Sequence, residues 1–168
     1  MASVFVPYIS VVGPGDATEE QQRDAEAVGR ALAQAGAVVV TGGLGGVMAA
    51  ACRGAASAGG MTVGILPGGD RRAANEWVRI AIPSGLGELR NGLVVRSADA
   101  VVAVGGAFGT LSEVALALKT GVPVVGLTTW EIDGIEPAES AAGAATRALE
   151  LAGPVPTLGG CPRSSLRT

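Results

Sequence analysis

Short runs of β-branched residues alternate along the chain with longer stretches whose apolar residues recur at helical spacing. Val4–Val12, Ala37–Thr41, Thr62–Leu66, Arg79–Ile82, Ala100–Val104 and Val122–Leu127 read as strands. Val38-Val39-Val40 and Val101-Val102-Ala103-Val104 show no polar alternation. Strands buried on both faces of a parallel sheet look like this, and they require helices on both sides. The intervening segments supply them. Thr18 is placed to cap a helix, with Gln21 completing a capping box, and that helix runs to Gly36 with Ala25, Val28, Leu32 and Ala35 inward. Gly46–Ala58, Gly87–Ser97, Thr110–Lys119 and Ala138–Leu151 are the further helices expected. The order is that of an α/β protein with a single-domain, Rossmann-like, doubly wound and mostly parallel sheet. The expected domain covers residues 1–153. Residues 154–168 carry Pro, Gly and Ser without a helical period and read as a flexible C-terminal tail.

Composition narrows the function. The 168 residues include 12 basic and 15 acidic side chains, a formal charge of −3, so there is no basic field for nucleic acid and no polybasic stretch for a membrane surface. Aromatic residues make up 3% of the chain, too few for a base-stacking platform. The N-terminus has no basic leader and the apolar runs are cut well before about 18 residues, so a cytoplasmic location is expected. There is no histidine, and Cys52 and Cys161 form no CxxC pair. No metal site and no resident cofactor are expected, and a histidine-based triad is excluded.

The chemistry concentrates in two turns that each leave a buried strand and open a helix. They are Gly42, Gly43, Gly45 and Gly46 after the second strand, and Gly105, Gly106, Ala107, Phe108, Gly109 and Thr110 after the fifth. In an open parallel sheet ligands sit beyond the carboxyl ends of the strands. Glycine allows close backbone approach there, and the unpaired N–H groups of a helix's first turn attract an anion. Glycine also makes a tight turn with no ligand at all. The dinucleotide fingerprint lacks its third spaced glycine and its acidic residue, and no Walker lysine follows either turn. Thr110 offers either a hydroxyl donor or a helix cap. Glu113, three residues on, lies on the same helical face, as a pocket carboxylate or as a capping-box partner. Arg90 reads as a fork for phosphate or as a salt-bridge partner of Glu88 or Glu113, with Asn91 a neutral hydrogen-bonder beside it. Met48 reads as packing.

Four segments together resemble the Lonely Guy (LOG) superfamily, also described as lysine-decarboxylase-like, and within it the bacterial branch similar to the molybdenum cofactor carrier protein. They are Thr41-Gly42-Gly43-Leu44-Gly45-Gly46-Val47-Met48, Val63-Gly64-Ile65-Leu66-Pro67-Gly68, Ala81–Gly87 leading into Arg90-Asn91, and Gly106–Glu113, within a match from Val11 to Leu151. The resemblance implies a nucleotide-binding Rossmann domain for an AMP-like nucleoside monophosphate, with phosphoribohydrolase chemistry on the N-glycosidic bond. Arg90 and Glu113 would then be the catalytic pair, Glu113 stabilising an oxocarbenium-like ribose and orienting water. The sequence departs from the enzymes' PGGxGTxxE pattern at Gly105 and Ala107, and carries Asn91 where they have lysine. The Arg90-Asn91 pair is how the carrier-like branch reads, and Ala107 also supports a carrier. The alternative reading is therefore a non-catalytic carrier of the molybdenum cofactor or another phosphorylated ligand. The resemblance also implies a homodimer built on helices beside the site, with Val114, Leu116 and Leu118 as compatible apolar positions.

Overall fold

The computed structural model describes residues 5–153; the expected tail at 154–168, Cys161 within it, and Val4 at the expected start of the first strand lie outside them. Seven strands form one sheet: β1 (Tyr8–Val12), β2 (Val38–Thr41), β3 (Thr62–Leu66), β4 (Ile80–Pro83), β5 (Ala100–Val104), β6 (Val124–Leu127) and β7 (Ile135–Ala138). Their order is β4-β3-β2-β1-β5-β6-β7, and every pairing is parallel. Four α-helices lie between strands, α1 (Glu19–Gln34), α2 (Val47–Ser57), α3 (Asn91–Arg96) and α4 (Phe108–Thr120), and α5 (Ala141–Leu151) follows β7. This is the α/β Rossmann-like architecture.

Successive residues of a strand face opposite sides of a sheet, so a run of consecutive valines needs two cores. Two are present. Ile9, Val11, Val39, Val102 and Val104 pack under α1, α2 and α5, while Val12, Val38, Val40, Val101 and Ala103 pack under α3 and α4 with Val94, Val114 and Ala117. The close approach of α1 to α2 needs glycine on each helix. A Cβ added to Gly29 would meet the Ala51 carbonyl, and one added to Gly54 the Glu26 carbonyl. The two edges of the sheet each carry a proline, Pro83 in β4 and Pro137 in β7, the position at which a strand tolerates loss of an N–H. Among the described residues no helix is long and apolar enough to cross a membrane.

Several expected boundaries move. The Thr18 capping box is present, with Gln21 N donating to Thr18 Oγ1 at 3.2 Å and Thr18 N to Gln21 Oε1 at 3.0 Å. Ala35 is not inward: α1 stops at Gln34, and Ala35 is an exposed cap before Gly36 at φ +83°. The expected helix at Ala138–Leu151 starts later, on the Ser140 cap, because Ile135–Ala138 pairs with β6 as an additional strand. Ile135-Glu136-Pro137-Ala138 has one β-branched residue and no apolar run to mark it as a strand. The segment expected as one helix at Gly87–Ser97 is a 3-10 turn over Gly87–Arg90 followed by α3.

Candidate functional site

The chain builds outward from β1 to β4 on one side, then returns beside β1 to add β5, β6 and β7. The crevice between the loops after β1 and β5 is thus the topological switch point, where open α/β sheets take ligands. A cavity of about 290 Å³ lies there. One wall is the end of β1 with Gly13-Pro14-Gly15; a second is Gly42, Leu44 and Met48 from the β2–α2 connection, with Pro67 after β3. The third holds Glu88, Arg90 and Asn91, and the fourth Ala107, Gly109, Thr110 and Glu113.

The two glycine turns do different work. α2 starts on Gly46 at φ +60°, where a Cβ would strike the carbonyls of Pro14 and Gly15, and its first N–H donates to Pro14 O at 3.0 Å. That first N–H is spent on the protein. Gly43 packs on Leu66 and Gly64, and its carbonyl accepts from Asn75 N at 2.9 Å. Gly42 makes room for Arg90: a Cβ there would sit 2.5 Å from Nη1 and Nη2. By contrast, α1 and α5 have Thr18 and Ser140 as side-chain caps, whereas α4 starts on Ala107 with no side-chain cap. Ala107, Gly109 and Thr110 at this helix start line the cavity, and the first N–H groups of a helix have no intrahelical acceptor.

Thr110 is buried, and its hydroxyl has no hydrogen-bond partner among the described residues. It does not cap α4, which begins two residues earlier than expected, at Phe108. For the same reason Glu113 is too far into the helix to close a capping box. It faces Arg90 instead, Oε1 lying 3.6 Å from Nη1. Both side chains are buried. Burial pushes the Glu113 carboxyl up from 4.5 to about 7 despite the opposing pull of Arg90. Burial likewise lowers the Arg90 pKa, with Glu113 and then Glu88 acting in the other direction. A carboxyl poised near neutrality beside a buried guanidinium, inside a cleft, is a physical mark of a functional site. Arg90 Nη1 donates to Asn91 Oδ1 at 2.8 Å, and Nε has no partner among the described residues.

The structure therefore gathers Gly42, Arg90, Asn91, Ala107, Gly109, Thr110 and Glu113 around one cavity. Gly43, Gly45, Gly46, Gly105, Gly106 and Phe108 do not line it. Gly105, at φ +65°, packs against the Gln21 amide, and Gly106 lies under the Trp130 ring. Phe108 is 92% exposed on the outside of α4. Met48, read as packing, lines the cavity. The turn Gly13-Pro14-Gly15 was not singled out from the sequence, although a strand ending in Gly-Pro-Gly carried the same signal as the other two.

The model of the SLOG cluster4 family matches residues 6–152. The chain belongs to that family. SLOG cluster4 sits within the LOG-like superfamily, and this member is 45% identical over 119 residues to an uncharacterized protein of Archaeoglobus fulgidus, covering 71% of this chain and 78% of that one. It is similar in structure to the molybdenum cofactor binding protein from the phototrophic bacterium Rippkaea orientalis, with a TM-score of 0.82, 38% identity, and coverage of 86% and 96% of the two chains. The molybdenum cofactor carrier protein of Chlamydomonas reinhardtii gives a TM-score of 0.80 at 39% identity, over 88% and 98%.

Proposed function

We propose that this SLOG cluster4 protein is a carrier that binds a small phosphorylated molecule at the cavity between the β1, β2 and β5 loops, with a cargo of the molybdenum cofactor type. The observation that supports it is the side-chain-uncapped start of α4 beside the buried Thr110 hydroxyl and Arg90 Nε, neither of which has a partner among the described residues. Buried polar groups without partners are costly. An anion of phosphate geometry would satisfy the helix N–H groups, the hydroxyl and the guanidinium together. The likeness to proteins that bind or carry the molybdenum cofactor supports the choice of cargo.

One observation favours a second reading, a nucleoside 5′-monophosphate phosphoribohydrolase. Glu113, with its carboxyl at about 7, can orient water and stabilise a cationic ribose near neutral pH. The experiment that separates them incubates the protein with AMP and other nucleoside monophosphates, following free base by chromatography and thermal stability in the same samples. Stabilisation without base release supports the carrier. Release that is lost in Glu113→Gln supports the hydrolase, and neither response refutes the phosphate site.

We also propose a homodimer. Val114 is core, and Leu116 and Leu118 are partly buried against it. Leu89, 80% exposed, Leu93 and Phe108 stand apolar and exposed on the helical segments flanking the site. Light scattering at twice the 16.5 kDa chain mass is the expected result; a monomer mass refutes it.

A further inference from the structure

Arg90 has two partners within reach and hydrogen-bonds to the weaker one. A carboxylate is the stronger acceptor for a guanidinium, yet Nη1 donates to the Asn91 amide oxygen at 2.8 Å while Glu113 Oε1 stands off at 3.6 Å. The Asn91 amide is oriented by Ser112. The Ser112 hydroxyl has a single proton, which it donates to Gly109 O at 2.7 Å. Toward Asn91 it can only accept, and Asn91 Nδ2 donates to it at 2.9 Å. The amide NH2 thus faces Ser112 and the amide oxygen faces Arg90.

This chain of hydrogen bonds ties the guanidinium to the first turn of α4. With Nη1 engaged and Gly42 leaving no space behind the group, Nε and Nη2 remain without a hydrogen bond among the described residues. Those two atoms form the side-on edge that grips phosphate oxygens in pairs.

We propose that Ser112 is a positioning residue: through Asn91 it withholds Arg90 from Glu113 and leaves the arginine's side-on edge for the ligand's phosphate. The proposal rests on the reading of the cavity as a phosphate site. It assigns a purpose to Asn91 in place of lysine, since a lysine there has no acceptor to offer Arg90.

The test uses the full chain as wild type, Ser112→Ala and Ser112→Thr, each with and without Glu113→Gln. Ser112 is exposed, so its replacement leaves the core intact. Two quantities are read: affinity for inorganic phosphate by calorimetry, and the pH at which Glu113 ionises, taken from the stability difference between each protein and its Glu113→Gln partner. In Ser112→Ala the amide is free to turn and Arg90 closes on Glu113. Phosphate affinity is then expected to fall about tenfold, and the Glu113 midpoint to drop from about 7 toward the ordinary carboxylate range. Ser112→Thr keeps the hydroxyl and restores both. An unmoved Glu113 midpoint in Ser112→Ala, or a Thr variant that behaves like Ala, overturns the proposal. If the wild type binds no phosphate, the phosphate site itself fails, while the Glu113 midpoint still decides the role of Ser112.

Discussion

Glu113→Gln gives a measurement of the site that needs no ligand. Burial holds the carboxyl at about 7 against an ordinary 4.5. Below about pH 4.5 it is protonated in both the folded and the unfolded chain, so ionisation contributes no penalty. Between the two values the unfolded chain releases a proton that the folded chain keeps, and stability falls as pH rises. Above about 7 both states are ionised and the folded state carries the whole penalty, about 3 kcal/mol from a difference of this size. Glutamine cannot titrate and resembles the protonated acid. Arg90 attracts the carboxylate only where Glu113 is ionised, and that attraction is already contained in the value of about 7; the remaining difference between glutamine and the protonated acid is a constant offset, and every other titrating group cancels between the two proteins. Urea denaturation of both proteins, from about pH 5 to about pH 8.5, is expected to show the variant gaining most of that 3 kcal/mol on the wild type, or about 6–12 °C in melting temperature for a domain of this size. A difference that stays flat across the range would mean that Glu113 is solvated or fully neutralised by Arg90, and the electrostatic account of the site would be wrong.

Thr110→Val removes a hydroxyl with no partner among the described residues, so it is expected to leave stability unchanged or raised by about 1 kcal/mol. It should also weaken phosphate binding by roughly 2–10-fold; thermal melts and calorimetry read the two effects separately, and a clear loss of stability would show that the hydroxyl is already satisfied. Gly42→Ala places a methyl 2.5 Å from the Arg90 guanidinium; it is expected to cost about 1–3 kcal/mol and to abolish phosphate stabilisation in the same melts. Gly54→Ala sets a methyl against the Glu26 backbone of the neighbouring helix, far from the cavity. It is expected to lower stability by at least about 1–3 kcal/mol in urea while leaving phosphate affinity intact in the protein that remains folded.

The fold was legible because its central strands are long enough and apolar enough to admit one reading. Val38-Val39-Val40 and Val101–Val104 force a sheet covered on both sides, and the Thr18–Gln21 pair announces α1. One strand was missed: Ile135–Ala138 has one β-branched residue and no apolar run, and it becomes a strand because β6 offers a free side, a tertiary fact. The site was legible in part for a related reason. Glycine in a βα turn signals that something comes close, but not what. At Gly42 the close neighbour is Arg90, at Gly46 the β1 turn, and at Gly106 Trp130. A single sequence cannot distinguish a glycine that admits a ligand from one that admits the protein.

What separates the two turns is the fate of the helix that follows. At α2 the β1 turn reaches across and takes the first N–H, so the glycines there are consumed by folding. At α4 the cap position is Ala107, whose methyl can accept nothing, and the next buried hydroxyl, Thr110, is also left without a partner. Helices of this chain that end at the surface are given Thr18 or Ser140 as caps. The start of α4, at the cavity, is given alanine, and Arg90 and Glu113 beside it share no hydrogen bond, standing 3.6 Å apart. Buried donors left unpaired among the described residues cost stability, and a ligand that supplies several acceptors at once recovers it.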